Sequence, residues 1–261
     1  MLEERIGRFE IKKSKTISYR ESGAGRALVL LHGIGSSSAS WLFQLESLRG
    51  FRLIAWDAPG YGESDFLQEE KPGPVEYAKA LHGLVERLLL KDVVLVANSL
   101  GALMAGAYAR EHPDRIRGMV LLGPAGGYAG DISKIRDRLK LLDEIGPEGM
   151  AEQRSPNLVA KNAPPIALAL VRWSQRRVRP QGYRQAAHCL ANGRLAEDAR
   201  SFRKKVLVAC GAQDTVTPEA GCKAIARAFP NAEYRSLAGI GHVAHIEDPA
   251  QVNALIGAFA A

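Results

Sequence analysis

Four short runs of Val, Leu and Ile constrain this chain most: Ala27 to Leu31, Arg52 to Trp56, Val93 to Ala97 and Met119 to Leu122. Strands that are buried on both faces have this unbroken apolar character, whereas a half-exposed strand alternates polar and apolar residues. Between the runs lie longer stretches of helical periodicity, Pro74 to Leu90 and Leu100 to Glu111. The second is closed by His112-Pro113-Asp114, because proline restricts the residue before it and cannot continue a helix. Strand and helix in alternation predict a mostly parallel central sheet flanked by helices, an α/β fold. The opening differs. Arg8 to Lys12 and Thr16 to Arg20 alternate polar and apolar residues, which predicts an antiparallel hairpin at a sheet edge.

After Gly123-Pro124-Ala125-Gly126-Gly127 the pattern changes. Residues 128–202 hold no strand-like run, only helical segments broken at Gly146-Pro147, Ser155-Pro156, Pro164-Pro165 and Arg179-Pro180. Strand character returns at Lys205 to Gly211 and near Ala232 to Leu237, and Pro249 to Phe259 forms a final helix. The reading is a sheet-containing core, residues 1–127 and 203–261, split by a helical cap at 128–202. At 261 residues the chain has room for one large core with such an insert, and too little for two full enzymes.

Bulk properties narrow the functional classes. The chain is 46% apolar and 24% charged, the balance of a globular protein. No apolar run reaches the roughly 18–20 residues that span a bilayer. Met1 to Arg5 lacks the basic region and apolar core of a secretion signal. Three cysteines at irregular spacing, Cys189, Cys210 and Cys222, form no paired framework and no metal motif, which suits a reducing cytoplasm. A net charge of +7 is spread along the chain without a zinc finger, aromatic RNA-binding signature or basic arm. Attraction of anionic small molecules explains it better than nucleic acid does.

The segment Val93 to Ala102 carries the chemistry. A buried strand runs directly into Ser99, and a helix starts straight after it. Small residues stand two positions to either side, Ala97 and Gly101, as a sharp nucleophile elbow requires, with alanine where the usual pattern has glycine. Such a turn lifts a serine hydroxyl to a helix N-terminus, where the amide of Leu100 would face developing oxyanion charge. A serine hydroxyl still needs a base and an orienting carboxylate. Asp214 follows the Lys205 to Gly211 run, at the strand end where open α/β sheets place catalytic groups. His242 lies in Gly239-Ile240-Gly241-His242, after the last strand and before the last helix, with His245 as its rival. The order Ser, Asp, His is the one this turn type accompanies. A second oxyanion donor is expected from Leu31-His32-Gly33-Ile34-Gly35, at the amide of Ile34, with His32 bracing the loop. No Gly-Lys-Ser/Thr follows that loop, so it is not a phosphate-binding loop. No histidine makes a metal-ligand spacing, and neither metal nor organic cofactor is expected.

Together these residues resemble the α/β-hydrolase family: His32-Gly33-x-Gly35, Asp57-Ala58-Pro59-Gly60-Tyr61-Gly62-Glu63-Ser64, the serine elbow, Gly211-x-x-Asp214 and Gly241-His242. The resemblance covers roughly residues 5–127 and 203–260, and it implies a serine hydrolase acting on a small carbonyl compound, a carboxylic ester or lactone. Asn98-Ser99 is similar to the Gly-Asn-Ser-x-Gly elbow of meta-cleavage product hydrolases, which cut a carbon–carbon bond in vinylogous diketones. In those enzymes a cap arginine holds the substrate carboxylate. Arg172, Arg176, Arg177, Arg179 and Arg184 crowd one cap segment here, as substrate anchors or as a solvated basic face. The residues expected around a substrate are Gly33, Trp41 and Asn98 from the core and Trp173, Arg172 and Arg176 from the cap. The further alternatives are a cofactor-free haloperoxidase or perhydrolase, which uses a similar triad, and a ligand receptor that keeps the fold and turns over slowly. The expected partner is a small, anionic molecule, not nucleic acid or membrane.

Overall fold

The computed structural model describes residues 1–261. Its centre is one eight-stranded sheet of β1 (Lys12–Ser14), β2 (Ile17–Ser22), β3 (Arg26–Leu31), β4 (Phe51–Trp56), β5 (Val93–Asn98), β6 (Ile116–Leu122), β7 (Lys205–Gly211) and β8 (Ala232–Leu237). The spatial order is β1-β2-β4-β3-β5-β6-β7-β8. The pairs β1·β2 and β2·β4 are antiparallel, and every other pair is parallel. The four apolar runs thus lie side by side in the middle of the sheet, as expected of strands covered on both faces.

Side chains along these strands divide between two cores with a period of two. Val29, Leu31, Leu95, Ala97, Met119 and Leu121 enter the larger cluster on one face. Leu28, Leu30, Val94, Val96, Val120 and Leu122 enter the cluster on the other. All six residues of β5 are buried. Truncating a fully buried leucine in such a strand costs about 2–5 kcal/mol, the lost transfer energy plus the cavity left behind.

Helices cover both faces: α1 (Leu2–Gly7), α2 (Leu42–Ser47), α3 (Pro74–Arg87), α4 (Gly101–Glu111), α5 (Ser133–Arg154), α6 (Pro165–Arg176), α7 (Pro180–Asn192), α8 (Leu195–Ala199), α9 (Glu219–Ala228), α10 (Ala244–Glu247) and α11 (Pro249–Ala260). Only helices, α5 to α8, lie between β6 and β7. Prolines open α6 and α7, where the missing N–H would be unpaired in any case. At Gly146 the backbone leaves the helical region, with φ +63°, so α5 is two helical stretches meeting at a kink just before Pro147, the break expected there. None of these helices is long and apolar enough to cross a membrane.

Two sequence expectations change. The first strand of the edge hairpin was expected at Arg8 to Lys12, and it begins only at Lys12. Ahead of it Leu2, Ile6 and Phe9 sit at helical spacing and pack into the cluster that joins α1, α2, α6 and α10, and this contact holds the segment helical. β6 starts at Ile116, three residues before the expected apolar run, because its one exposed residue, Arg117, interrupts the hydrophobic pattern.

Candidate active site

β5 delivers Asn98 and Ser99 to the carboxyl end of the sheet, and α4 leaves immediately beyond. Ser99 has φ +52°, the left-handed region that costs a non-glycine residue about 1–2 kcal/mol. The surroundings impose that conformation. The Ser99 amide donates to the Leu122 carbonyl at 3.1 Å, and the Ser99 carbonyl accepts from Ala102 at 3.0 Å and Ala125 at 3.1 Å. Asn98 Nδ2 donates to the carbonyls of Leu122 at 3.0 Å and His242 at 3.2 Å, tying the turn to the histidine loop. A Cβ at Gly101 would stand 2.5 Å from the Leu31 carbonyl, so the elbow closes only around a residue without one.

The loops after β7 and β8 bring two further groups to the same end. His242 Nδ1 lies 2.8 Å from Asp214 Oδ2. Asp214 Oδ1 accepts from the amides of Val216 at 2.8 Å and Thr217 at 2.9 Å. Thr217 Oγ1 sits 2.8 Å from Asp214 Oδ2 and 3.0 Å from the Gly123 carbonyl, which clamps the carboxylate from a second side. Burial pushes the Asp214 carboxyl up. The hydrogen bond and charge of His242, with the Thr217 contacts, outweigh it and hold the group below its usual range. With Nδ1 engaged, Nε2 is the ring nitrogen left for chemistry. Ser99, Asp214 and His242 are only 6%, 6% and 5% exposed.

A cavity opens over this end of the sheet. Its lining includes Ser99, His242, Gly33, Ile34, Asn98 and Leu100 from the core elements. The amides of Ile34 and Leu100 donate to no backbone acceptor in the protein, in contrast to their neighbours at Ser99 and Ala102. His32 stands behind the loop: Nε2 accepts from the Ala58 amide at 3.0 Å and Nδ1 faces the Gly33 carbonyl at 2.8 Å, with burial depressing its pKa. His245 is elsewhere. Its ring lies 4.2 Å from that of Trp41, neither nitrogen has a partner, and burial pushes its pKa down to about 3. No group of three His, Cys, Asp or Glu side chains gathers as a metal site.

A family model described as the alpha/beta hydrolase fold matches residues 26–249. The chain belongs to the α/β-hydrolase fold family. Among its relatives, a 2-hydroxymuconate semialdehyde hydrolase of Pseudomonas sp. (strain CF600) is 28% identical over 98% of this chain and 94% of that protein. A 2-hydroxy-6-oxo-6-phenylhexa-2,4-dienoate hydrolase of Comamonas testosteroni is 32% identical, over 51% of this chain and 48% of its own length. The solved structure of a thermophilic esterase from Thermogutta terrifontis superposes with a TM-score of 0.86 at 25% identity, covering 96% of each chain.

In this α/β-hydrolase the expected pocket residues divide. Gly33 and Asn98 line the cavity, and Trp41, Trp173, Arg172 and Arg176 do not. Trp41 is fully buried against the far face of the sheet. Trp173 is turned outward, its Nε1 donating to Glu3 at 3.0 Å and its ring lying under Arg177 at 4.1 Å. Arg172 and Arg176, one turn apart, both pair with Glu152, Arg172 at 3.4 Å. Helical spacing explains the outcome: Val171, Ser174 and Gln175 form the face of α6 toward the cavity, so Arg172 and Arg176 fall on another side of the helix. Arg177 pairs with Glu3, Arg184 with Asp143, and Arg179 reaches the carbonyls of Gly60, Tyr61 and Ser64.

Two arginines that sequence reasoning passed over take their place in the wall, Arg138 and Arg154, both on α5. Arg138 donates to the Tyr183 hydroxyl at 2.9 Å. Arg154 makes no hydrogen bond or ion pair, and burial, then the neighbouring charge of Arg138, draws its pKa down. No aspartate or glutamate lines the cavity. Thr217 was missed as well; the only trace of it in the sequence is its place three residues after Asp214, within reach of the carboxylate it caps.

Proposed function

We propose that this protein is a serine hydrolase for a small anionic carbonyl compound, a carboxylic ester or lactone that carries a free carboxylate. The observation that carries the reading is the 2.8 Å Asp214–His242 pair at a cavity in which Ser99 sits on a left-handed elbow. Asp214 fixes the imidazole by its Nδ1–H and stabilises the imidazolium that forms when Nε2 takes the Ser99 proton. Ser99 Oγ then bonds to the carbonyl carbon, and the amides of Ile34 and Leu100 receive the oxyanion. Collapse expels the alkoxide, which takes the imidazolium proton, and water activated by the same imidazole releases the acid. The helices at 128–202 act as a cap that supplies the distal wall. Three buried free thiols suit a reducing compartment, the cytoplasm.

Arg138 and Arg154, with no carboxylate in the lining to neutralise them, provide the anion-recognising wall. A second reading, carbon–carbon bond hydrolysis of a dienoate, is favoured by the names of the relatives and by the Asn98-Ser99 elbow. One panel separates the two: a neutral short-chain ester, the half-ester of a dicarboxylic acid, a carboxylate-bearing enol-lactone and a dienoic diketone. The half-ester or lactone is expected to give the highest kcat/KM. Highest turnover of the diketone selects the second reading, and preference for the neutral ester removes the anionic assignment. Arg154→Met should raise KM for the charged ester about 10- to 100-fold, the loss of one charge-assisted hydrogen bond, and leave the neutral ester unchanged. Equal effects on both esters would count against an anion site.

A further inference from the structure

Glu247 ends α10 with its side chain turned inward, only 7% exposed. Its carboxylate has no cationic partner. Instead, Oε2 accepts from the amides of Ala160 at 2.8 Å and Gly241 at 3.0 Å, and Oε1 accepts from Val243 at 3.2 Å. The amide between these last two, that of His242 itself, donates to the Leu158 carbonyl at 3.1 Å. Three consecutive amides of the histidine loop are therefore engaged, two by one carboxylate and one by the segment between α5 and α6. The approach is close enough that a Cβ on Gly241 would stand 2.5 Å from the Ala160 nitrogen. Leu158 in turn lines the cavity.

We propose that Glu247 is a positioning residue: it fixes the backbone on both sides of His242 and joins that loop to residues 158–160, so that the imidazole and this part of the cavity wall move as one body. The proposal rests on the serine-hydrolase reading above. A carboxylate suits the task because it is acceptor-only and offers lone pairs to three donors at once. A glutamine of the same shape offers one acceptor oxygen and turns an NH2 group toward a backbone N–H, leaving at least one buried amide unpaired. The imidazole must hold its place to within a fraction of an ångström for proton transfer, and a misplacement near 1 Å costs about 100-fold in rate.

The test measures the rate at which a fluorophosphonate labels Ser99, together with the low-field NMR signal of the His242 Nδ1 proton. Glu247→Gln should slow labelling about 100-fold and shift or broaden that signal, and Glu247→Asp, which keeps the carboxylate, should recover part of the loss. A folded Glu247→Gln protein with the parent's labelling rate and an unaltered Nδ1 signal overturns the proposal. Hydrogen exchange of the parent decides it even where both variants fail to fold. The amides of Ala160, Gly241 and Val243 should be protected like those of β5, and exchange at the rate of an open loop would show that no such tie exists. A parent whose Ser99 resists the probe defeats the serine-hydrolase reading instead, and the exchange result still reports on the tie.

Discussion

Ser99→Ala should reduce ester turnover by at least about 1,000-fold, and by up to about a million-fold where the triad acts as one unit. Its far-UV spectrum and melting should stay close to the parent's, because the hydroxyl makes no hydrogen bond that the fold depends on and alanine accepts the same backbone. What remains after the change is the contribution of the oxyanion amides and of substrate positioning, which act without the nucleophile. Steady-state kinetics on the half-ester, with fluorophosphonate labelling as a parallel readout, measures both. Activity near the parent's, or labelling of another serine, would remove Ser99 from the mechanism.

His242→Ala is expected to be nearly as severe, about 10,000-fold or more in kcat, since the serine then has no base and the leaving group no acid. His245→Phe is the matched control. That ring packs at a tilt against Trp41, has no polar partner and lies outside the cavity, so an aromatic of similar shape should leave the labelling rate of Ser99 close to that of the parent. The two histidines are three residues apart in the chain, yet only one faces the Asp214 carboxylate. A severe loss in His245→Phe with a mild one in His242→Ala would reverse the assignment of the base.

The elements that could be read from the chain alone are those set by local physics. Val93 to Ala97 is apolar at every position because both its faces are covered, and a serine flanked by Ala97 and Gly101 marks a turn with no room for larger neighbours. Asp214 and His242 could be placed because each follows a strand end. The cavity wall could not be read in this way. Which side of α6 faces inward depends on how it packs against α2 and α10, and Arg172 and Arg176 are chemically equal to Arg138 and Arg154 until that packing is known. On α5 a periodic mark is present but faint among so many charges: Arg138 falls three residues after Ile135 and four before Leu142, and Arg154 four after Met150, which places both on the helix's buried face. Trp41 failed for a related reason: a tryptophan near a glycine-rich loop serves a pocket or a core equally well, and here the far face of the sheet buries it. Glu247 is a case of the same kind, since the amides that it holds come from residues 160, 241 and 243.

The strand order divides the proposed machinery between the middle and the rim of the sheet. Ser99 hangs from β5, which has a hydrogen-bonded neighbour on each side and no exposed residue. Asp214 and His242 hang from β7 and β8, and β8 is an edge strand with most of its side chains in or near solvent. Warming loosens margins before centres. The proposed nucleophile therefore sits on the most enclosed strand, whereas the proposed base follows an edge strand and relies on the Glu247 contacts, not on the sheet, to hold its loop. On the proposed mechanism, the temperature at which activity is lost and the temperature at which the protein melts are therefore expected to be separable.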